Sequence, residues 1–142
     1  MFANILLAVD LVHGDSQARP AAVAADLARR DGARLHVMTV VPDYGMSIVG
    51  SFFPAGFEEA ALEKAHQHLI AFARDTIPAG LVTNHVVRHG NIYREIIAGA
   101  EEEGCDLIVM GAHRPEMRDH FIGPNAARVV RHATQSVMVV RD

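Results

Sequence analysis

Asn4-Ile-Leu-Leu-Ala-Val-Asp10 is a nearly continuous apolar run that stops at an acid, with Gly14-Asp15-Ser16 close behind. No polar residue alternates within it. A strand of that kind is covered on both faces, as in a parallel sheet with helices on either side. Asp106-Leu-Ile-Val-Met110 repeats the pattern and stops at Gly111. Ser136 to Arg141 reads as a third such strand, the last in the chain.

The segments between these runs read as helices and further strands. Asp15 or Ser16 is placed to cap a helix over Ala18 to Arg30, which Asp31-Gly32 ends. Arg34 to Val41 is a strand closed by Pro42. Residues 42 to 56, with Phe52 and Phe53, form a long loop, and binding residues concentrate on loops held by a rigid scaffold. Partner specificity is expected there. Phe57 to Ile77 is a long helix with Leu62, Ala65, Leu69 and Phe72 on one face. Thr83 to His89 is a strand, and Gly90-Asn91 opens a helix running to Glu103. A polar loop follows from Ala112 to Ile122, then a helix from Gly123 to His132. Strict alternation of strand and helix implies right-handed crossovers and one doubly wound, five-stranded parallel α/β sheet with helices on both faces. All 142 residues fit one domain.

Bulk composition narrows the function. Half the residues are hydrophobic and 21% are charged, which suits a filled core and not a disordered chain. A net charge of −4 gives no general attraction to nucleic acid or an anionic membrane. The single cysteine, Cys105, cannot form an internal disulfide and reads as a small packing residue. No stretch approaches the ~20 apolar residues of a membrane span. A cytoplasmic protein is expected.

Ligands of open α/β sheets sit outside the carboxyl ends of the strands, where strand order reverses. With the first strand central, Ala8-Val9-Asp10 and Met110-Gly111-Ala112-His113 flank that crevice. Asp10 either accepts from ribose hydroxyls or caps the next helix. Gly111 either admits a ligand to the backbone or serves a plain turn. Gly123 opens the last helix, whose free N–H groups and positive dipole end suit phosphate. His113, Arg114, Arg118 and His120 are donors for polyphosphate or members of a solvated loop. Neither a Walker GxxxxGK[ST] nor a GxGxxG motif is present. The nine histidines show no metal-binding spacing, and no serine has a nucleophile-elbow context, so no metal site and no catalytic residue are expected. Glu101-Glu102-Glu103 opposes the dipole of its helix, and exposure is the only account the sequence offers.

The chain resembles the universal stress protein family, in its F/G-like branch, over essentially its whole length. The resemblance rests on the opening strand with Asp10 and on three later runs: Asp106 to His113, Gly123-Pro-Asn-Ala-Ala-Arg-Val-Val-Arg-His132, and Ser136 to Arg141. The His113-Arg114-Pro115 triplet points to the branch. It implies strand order 3-2-1-4-5, ATP or AMP as ligand with or without magnesium, and a homodimer joined through the last strand. The family motif is Gly-x2-Gly-x9-Gly-[Ser/Thr]. Gly111 matches its first glycine and Arg114 replaces its second. Gly123 matches its third, one residue early, and Pro124 replaces the Ser or Thr. Asp10 matches the acid near ribose, and Ala8, Val40, Met110 and Asn125 fall on contact positions, with Val9 beside them. Pro124 has neither N–H nor hydroxyl, which removes two phosphate donors.

Three functions follow as expectations. The first is an adenine-nucleotide-binding regulatory or stress-response protein without strong catalysis. The second is a dimeric interaction module of the same fold that binds no nucleotide. The third is a weak ATP hydrolase or nucleotidyl transferase, with Asp10, Glu116 and Asp119 as the nearby acids. The apolar last strand lies at a sheet edge in the implied order, where a bare edge invites pairing with a second copy.

Overall fold

A computed structural model describes residues 1–42, 56–112 and 122–141. Its five strands are β1 (Asn4–Ala8), β2 (Arg34–Pro42), β3 (Val82–Gly90), β4 (Leu107–Gly111) and β5 (Ser136–Val140). They form one sheet in the order β3-β2-β1-β4-β5. Every neighbouring pair is parallel. The helices among the described residues are α1 (Ala18–Asp31), α2 (Phe57–Thr76), α3 (Ile92–Glu102) and α4 (Pro124–His132), with a 3₁₀ segment over Leu11–Gln17.

The strand period of two explains the apolar runs. Ile5, Leu7, Val37 and Val109 point to one face and pack against the alanines of α1 and against Leu69 and Ala73 of α2. Leu6, Met38, Ile108 and Met110 point to the other and meet Ile96 and Ala100 of α3 and Val129 of α4. The leucines and isoleucines of β1 are fully buried, each worth about 1.5–3 kcal/mol of transfer free energy. Ala21, Ala24 and Ala28 are buried on α1 and let it lie close to the sheet. On α3 the close approach is made by Gly99, where a Cβ would come within 2.7 Å of Met38 Sδ.

The helix ends follow local chemistry, with one correction. Gly32 adopts φ 63° after α1 and its N–H closes on the Ala28 carbonyl. Asn91 caps α3. Neither Asp15 nor Ser16 caps α1. The chain first makes the 3₁₀ segment, whose cap is Asp10, and α1 follows with Gln17 as its N-cap and no side-chain cap bond. The Ser16 hydroxyl instead donates to the His13 carbonyl at 2.8 Å. A 3₁₀ run fits because the Asp10 carboxylate accepts the Val12 N–H, satisfying an end donor that would otherwise lack a partner.

Two members of the Glu101–Glu103 run acquire basic neighbours in three dimensions. Glu102 takes the Arg88 guanidinium at 2.6 Å across from β3. Glu103 Oε2 stands 3.7 Å from Nδ1 of the buried His36. Cys105 is buried, and desolvation, with Glu103 and Asp106 nearby, pushes its thiol up to about 12, so it stays protonated. No helix among the described residues is long and apolar enough to cross a membrane.

Candidate functional site

β1 and β4 are adjacent in the middle of the sheet, and the helices that come after them, α1 and α4, pack on opposite faces. The crevice this opens is a cleft of about 730 Å³, within the usual range for small-molecule sites. Ala8, Val9 and Asp10 line it from β1, Val40 from β2, and Met110 and Gly111 from β4. Gly123, Pro124 and Asn125 line it from the start of α4. Nine of the residues singled out in the sequence thus share one cleft. His113 and Arg114 lie outside the described residues, as do Arg118, His120 and the loop carrying Phe52 and Phe53.

Asp10 takes the capping role and lines the cleft at once. Its Oδ1 accepts the Val12 N–H at 3.0 Å, and its Oδ2 lies 2.9 Å from His13 Nδ1. Its own N–H donates to Gln17 Oε1 at 3.2 Å. The side chain keeps 41% of its surface exposed, so lone pairs remain for a ligand. Behind it, buried Thr39 donates to the Val9 carbonyl at 3.0 Å and fixes the strand end.

The start of α4 is less generous than its glycine suggests. The Gly123 N–H already donates to the Ala112 carbonyl at 2.6 Å. Pro124 occupies the first helical position and has none. That leaves the N–H groups of Asn125 and Ala126, for which no hydrogen bond forms among the described residues, as donors at the positive end of the helix. Gly111 has room: a Cβ there would meet Pro20 Cγ at 3.5 Å and Gln17 Nε2 at 3.7 Å, ordinary contacts.

The walls are apolar where Met38, Val40, Ile92 and Ile96 meet. Two polar residues of α2, missed from the sequence, also line the cleft: Lys64 and His68. Lys64 is the chain's single lysine. The available signal was the spacing Phe57, Ala61, Lys64, His68, a second helical stripe beside the apolar one. Asp10 is the carboxylate on the described lining, and no group of three or more His, Cys, Asp or Glu is placed to hold a metal ion among the described residues.

Comparison with known proteins places this geometry in context. The model of the universal stress protein family matches residues 1–141. Universal stress protein G of Escherichia coli O157:H7 is 31% identical over 144 residues, covering 99% of this chain and 100% of that protein. Among solved structures, hypothetical protein PH0823 is similar with a TM-score of 0.75 at 22% identity, over 100% of this chain and 97% of the other. A universal stress protein in complex with cAMP has a TM-score of 0.58 at 18% identity, over 99% and 97%. The Archaeoglobus fulgidus universal stress protein in complex with dAMP has a TM-score of 0.58 at 20% identity, over 98% of each chain.

Proposed function

This chain belongs to the universal stress protein family, and from that premise we propose that it binds an adenine nucleotide, AMP or ATP, in the cleft between β1 and β4 and acts as a regulatory protein of the stress response. The observation that carries the reading is the convergence on one cleft of a strand-end carboxylate, Asp10, an apolar slot and a helix N-terminus. An ionised carboxylate accepts both hydroxyls of a ribose. The slot formed by Met38, Val40 and Ile92 suits a purine ring. The N–H groups of Asn125 and Ala126 suit the α-phosphate. The neighbours solved with cAMP and dAMP support the same ligand class.

Magnesium enters with the nucleotide, held by its phosphates, because Asp10 is the one carboxylate on the described lining and this reading commits it to ribose. For the same reason Asp10 is not poised to activate water, and hydrolysis is slow at most. Gly123 and Pro124 together withhold two N–H groups from the phosphates, which favours AMP relative to ATP. The same observation favours a second reading, a dimeric module that binds protein and no nucleotide. In either reading the dimer forms through β5, which pairs with β4 on one side only and leaves Met138 exposed.

Calorimetric titration of nucleotide-free protein with AMP and ATP tests the proposal. Saturable binding is expected, weakened at least about tenfold in Asp10→Ala by loss of a charged hydrogen-bond acceptor. No heat with either nucleotide selects the interaction module.

A further inference from the structure

Tyr93, in the first turn of α3, gathers two arginines and a histidine around one ring. The His132 imidazole lies 5.6 Å away between centroids, tilted by 33°. The guanidinium carbons of Arg94 and Arg128 lie 5.7 Å and 5.5 Å from the ring centroid, within cation–π range. Arg94 Nε also donates to the Tyr93 hydroxyl at 3.1 Å. Arg131 follows on α4, exposed.

Like Arg19 and Arg34, none of Arg94, Arg128, Arg131 and His132 is in an ion pair among the described residues, whereas Arg29, Arg30, Arg74 and Arg88 each face a carboxylate; what sets Arg94, Arg128 and His132 apart is that they gather on one ring. Composition does not explain this, since acids outnumber bases by 17 to 13. Helix stability explains it only in part. Arg131 and His132 sit in the last turn of α4, where cations favour the dipole. Arg94 sits in the first turn of α3, where a cation opposes it, and Arg128 is mid-helix. The nearest acid along α3, Glu95, is taken by Arg88 at 3.1 Å.

We propose that this α3–α4 face is a docking site for an acidic peptide segment of a partner protein, its carboxylates gripped by Arg94 and Arg128 beside the Tyr93 ring. A guanidinium packed on a ring keeps its N–H fork for a carboxylate and loses less freedom on engaging it. A nucleic acid fits less well. The ring already carries three side chains, so it offers a base little platform, and a net charge of −4 opposes a polyanion. The site borders the cleft, since Ile92 and Asn125, neighbours of Tyr93 and Arg128 on their helices, line it.

Fluorescein-labelled hexaglutamate, titrated with the full chain and followed by anisotropy, tests this. Binding is expected at about 50 mM salt and is weakened at about 300 mM. Arg94→Gln/Arg128→Gln is expected to weaken it about tenfold or more. Tyr93→Leu, which keeps every charge, costs about threefold. Arg19→Gln/Arg34→Gln, which removes the same charge elsewhere, changes it by less than about twofold. Thermal melts check that each variant folds, and the single Arg94→Gln, on an exposed side chain, stands in for the double variant if that one does not. Absence of binding, equal loss in the two double variants, or tighter binding of labelled oligothymidylate than of hexaglutamate would overturn the proposal.

Discussion

The two edges of the sheet treat their polar groups differently. Where the strands begin, carboxylates close the backbone. The Asp106 carboxylate accepts the Ala3 N–H at 2.9 Å and the Asn4 N–H at 3.0 Å. The largely buried Asp31 accepts the Phe2 N–H at 3.1 Å and faces the N-terminal ammonium at 3.4 Å. Asn4 in turn holds His36 Nε2 at 3.1 Å. Where the strands end, a cleft opens and the N–H groups of Asn125 and Ala126 stay unspent among the described residues. Ligand chemistry needs unspent donors and stability needs spent ones, so one molecule keeps both only by separating them along the strands.

Asp106→Ala is the strongest way to break that separation. It removes the acceptor for two backbone N–H groups and is expected to lower unfolding free energy by about 1–2 kcal/mol. The carboxylate is exposed and its loss is partly made good by water. Urea unfolding measures it, and nucleotide affinity of the folded fraction should not move. An equal fall in affinity would mean that the two edges are coupled.

Pro124→Ser sharpens the comparison from the other side. It restores an N–H and adds a hydroxyl at the start of α4, at a position that serine also tolerates. ATP affinity is expected to rise about fivefold, with adenosine affinity unchanged in the same calorimetric titration. A rise for adenosine as well would place the gain outside the phosphates.

A smaller effect is read by pH at the end where the strands begin. Desolvation, only partly opposed by Glu103, holds the His36 imidazole below its usual 6.5. The unfolded chain therefore binds the proton more readily than the fold. The His36 contribution is fully present above pH 6.5 and is lost as pH falls from there toward the lower folded value. In Asp106 desolvation pushes the carboxyl up, but the Ala3 and Asn4 N–H groups outweigh it and the net shift is downward. The Phe2 N–H lowers Asp31 against its own desolvation. Their stabilisation has the same sign but is lost only below pH 3.8. Urea midpoints between pH 7.5 and 5 should fall less in His36→Gln than in the parent chain.

The smallest expected effect is that of Gly111→Ala. The new Cβ makes only ordinary contacts, so stability should change by less than about 0.5 kcal/mol. A loss of nucleotide affinity without a loss of stability would then report ligand approach at that residue, in a thermal melt paired with calorimetry.

Much of the fold was legible because its signals are local. The unbroken apolar runs at residues 5–9 and 107–110 identify central parallel strands, and Gly32 and Asn91 mark helix ends by their own backbone and side-chain preferences. The site was legible in part for the same reason: Asp10, Gly111 and Gly123 stand at the ends of elements. Lys64 and His68 were not, because their helix joins the cleft only after β2 and α2 have packed. Asp10 as a cap was among the readings of the sequence, but the cap of α1 was misread, because a 3₁₀ turn that no apolar period announces comes before that helix.

By itself the sequence determined the alternation of strand and helix, the two apolar faces and the residues standing at strand ends. These depend on periodicity and end preferences within a few residues. Only the tertiary structure decided which polar atoms are spent. The Ala112 carbonyl takes the Gly123 N–H, Arg88 gives Glu102 its partner, and Tyr93 collects arginines from two helices. Hydrogen bonds and ion pairs are settled by neighbours in space, and those neighbours come from distant parts of the chain.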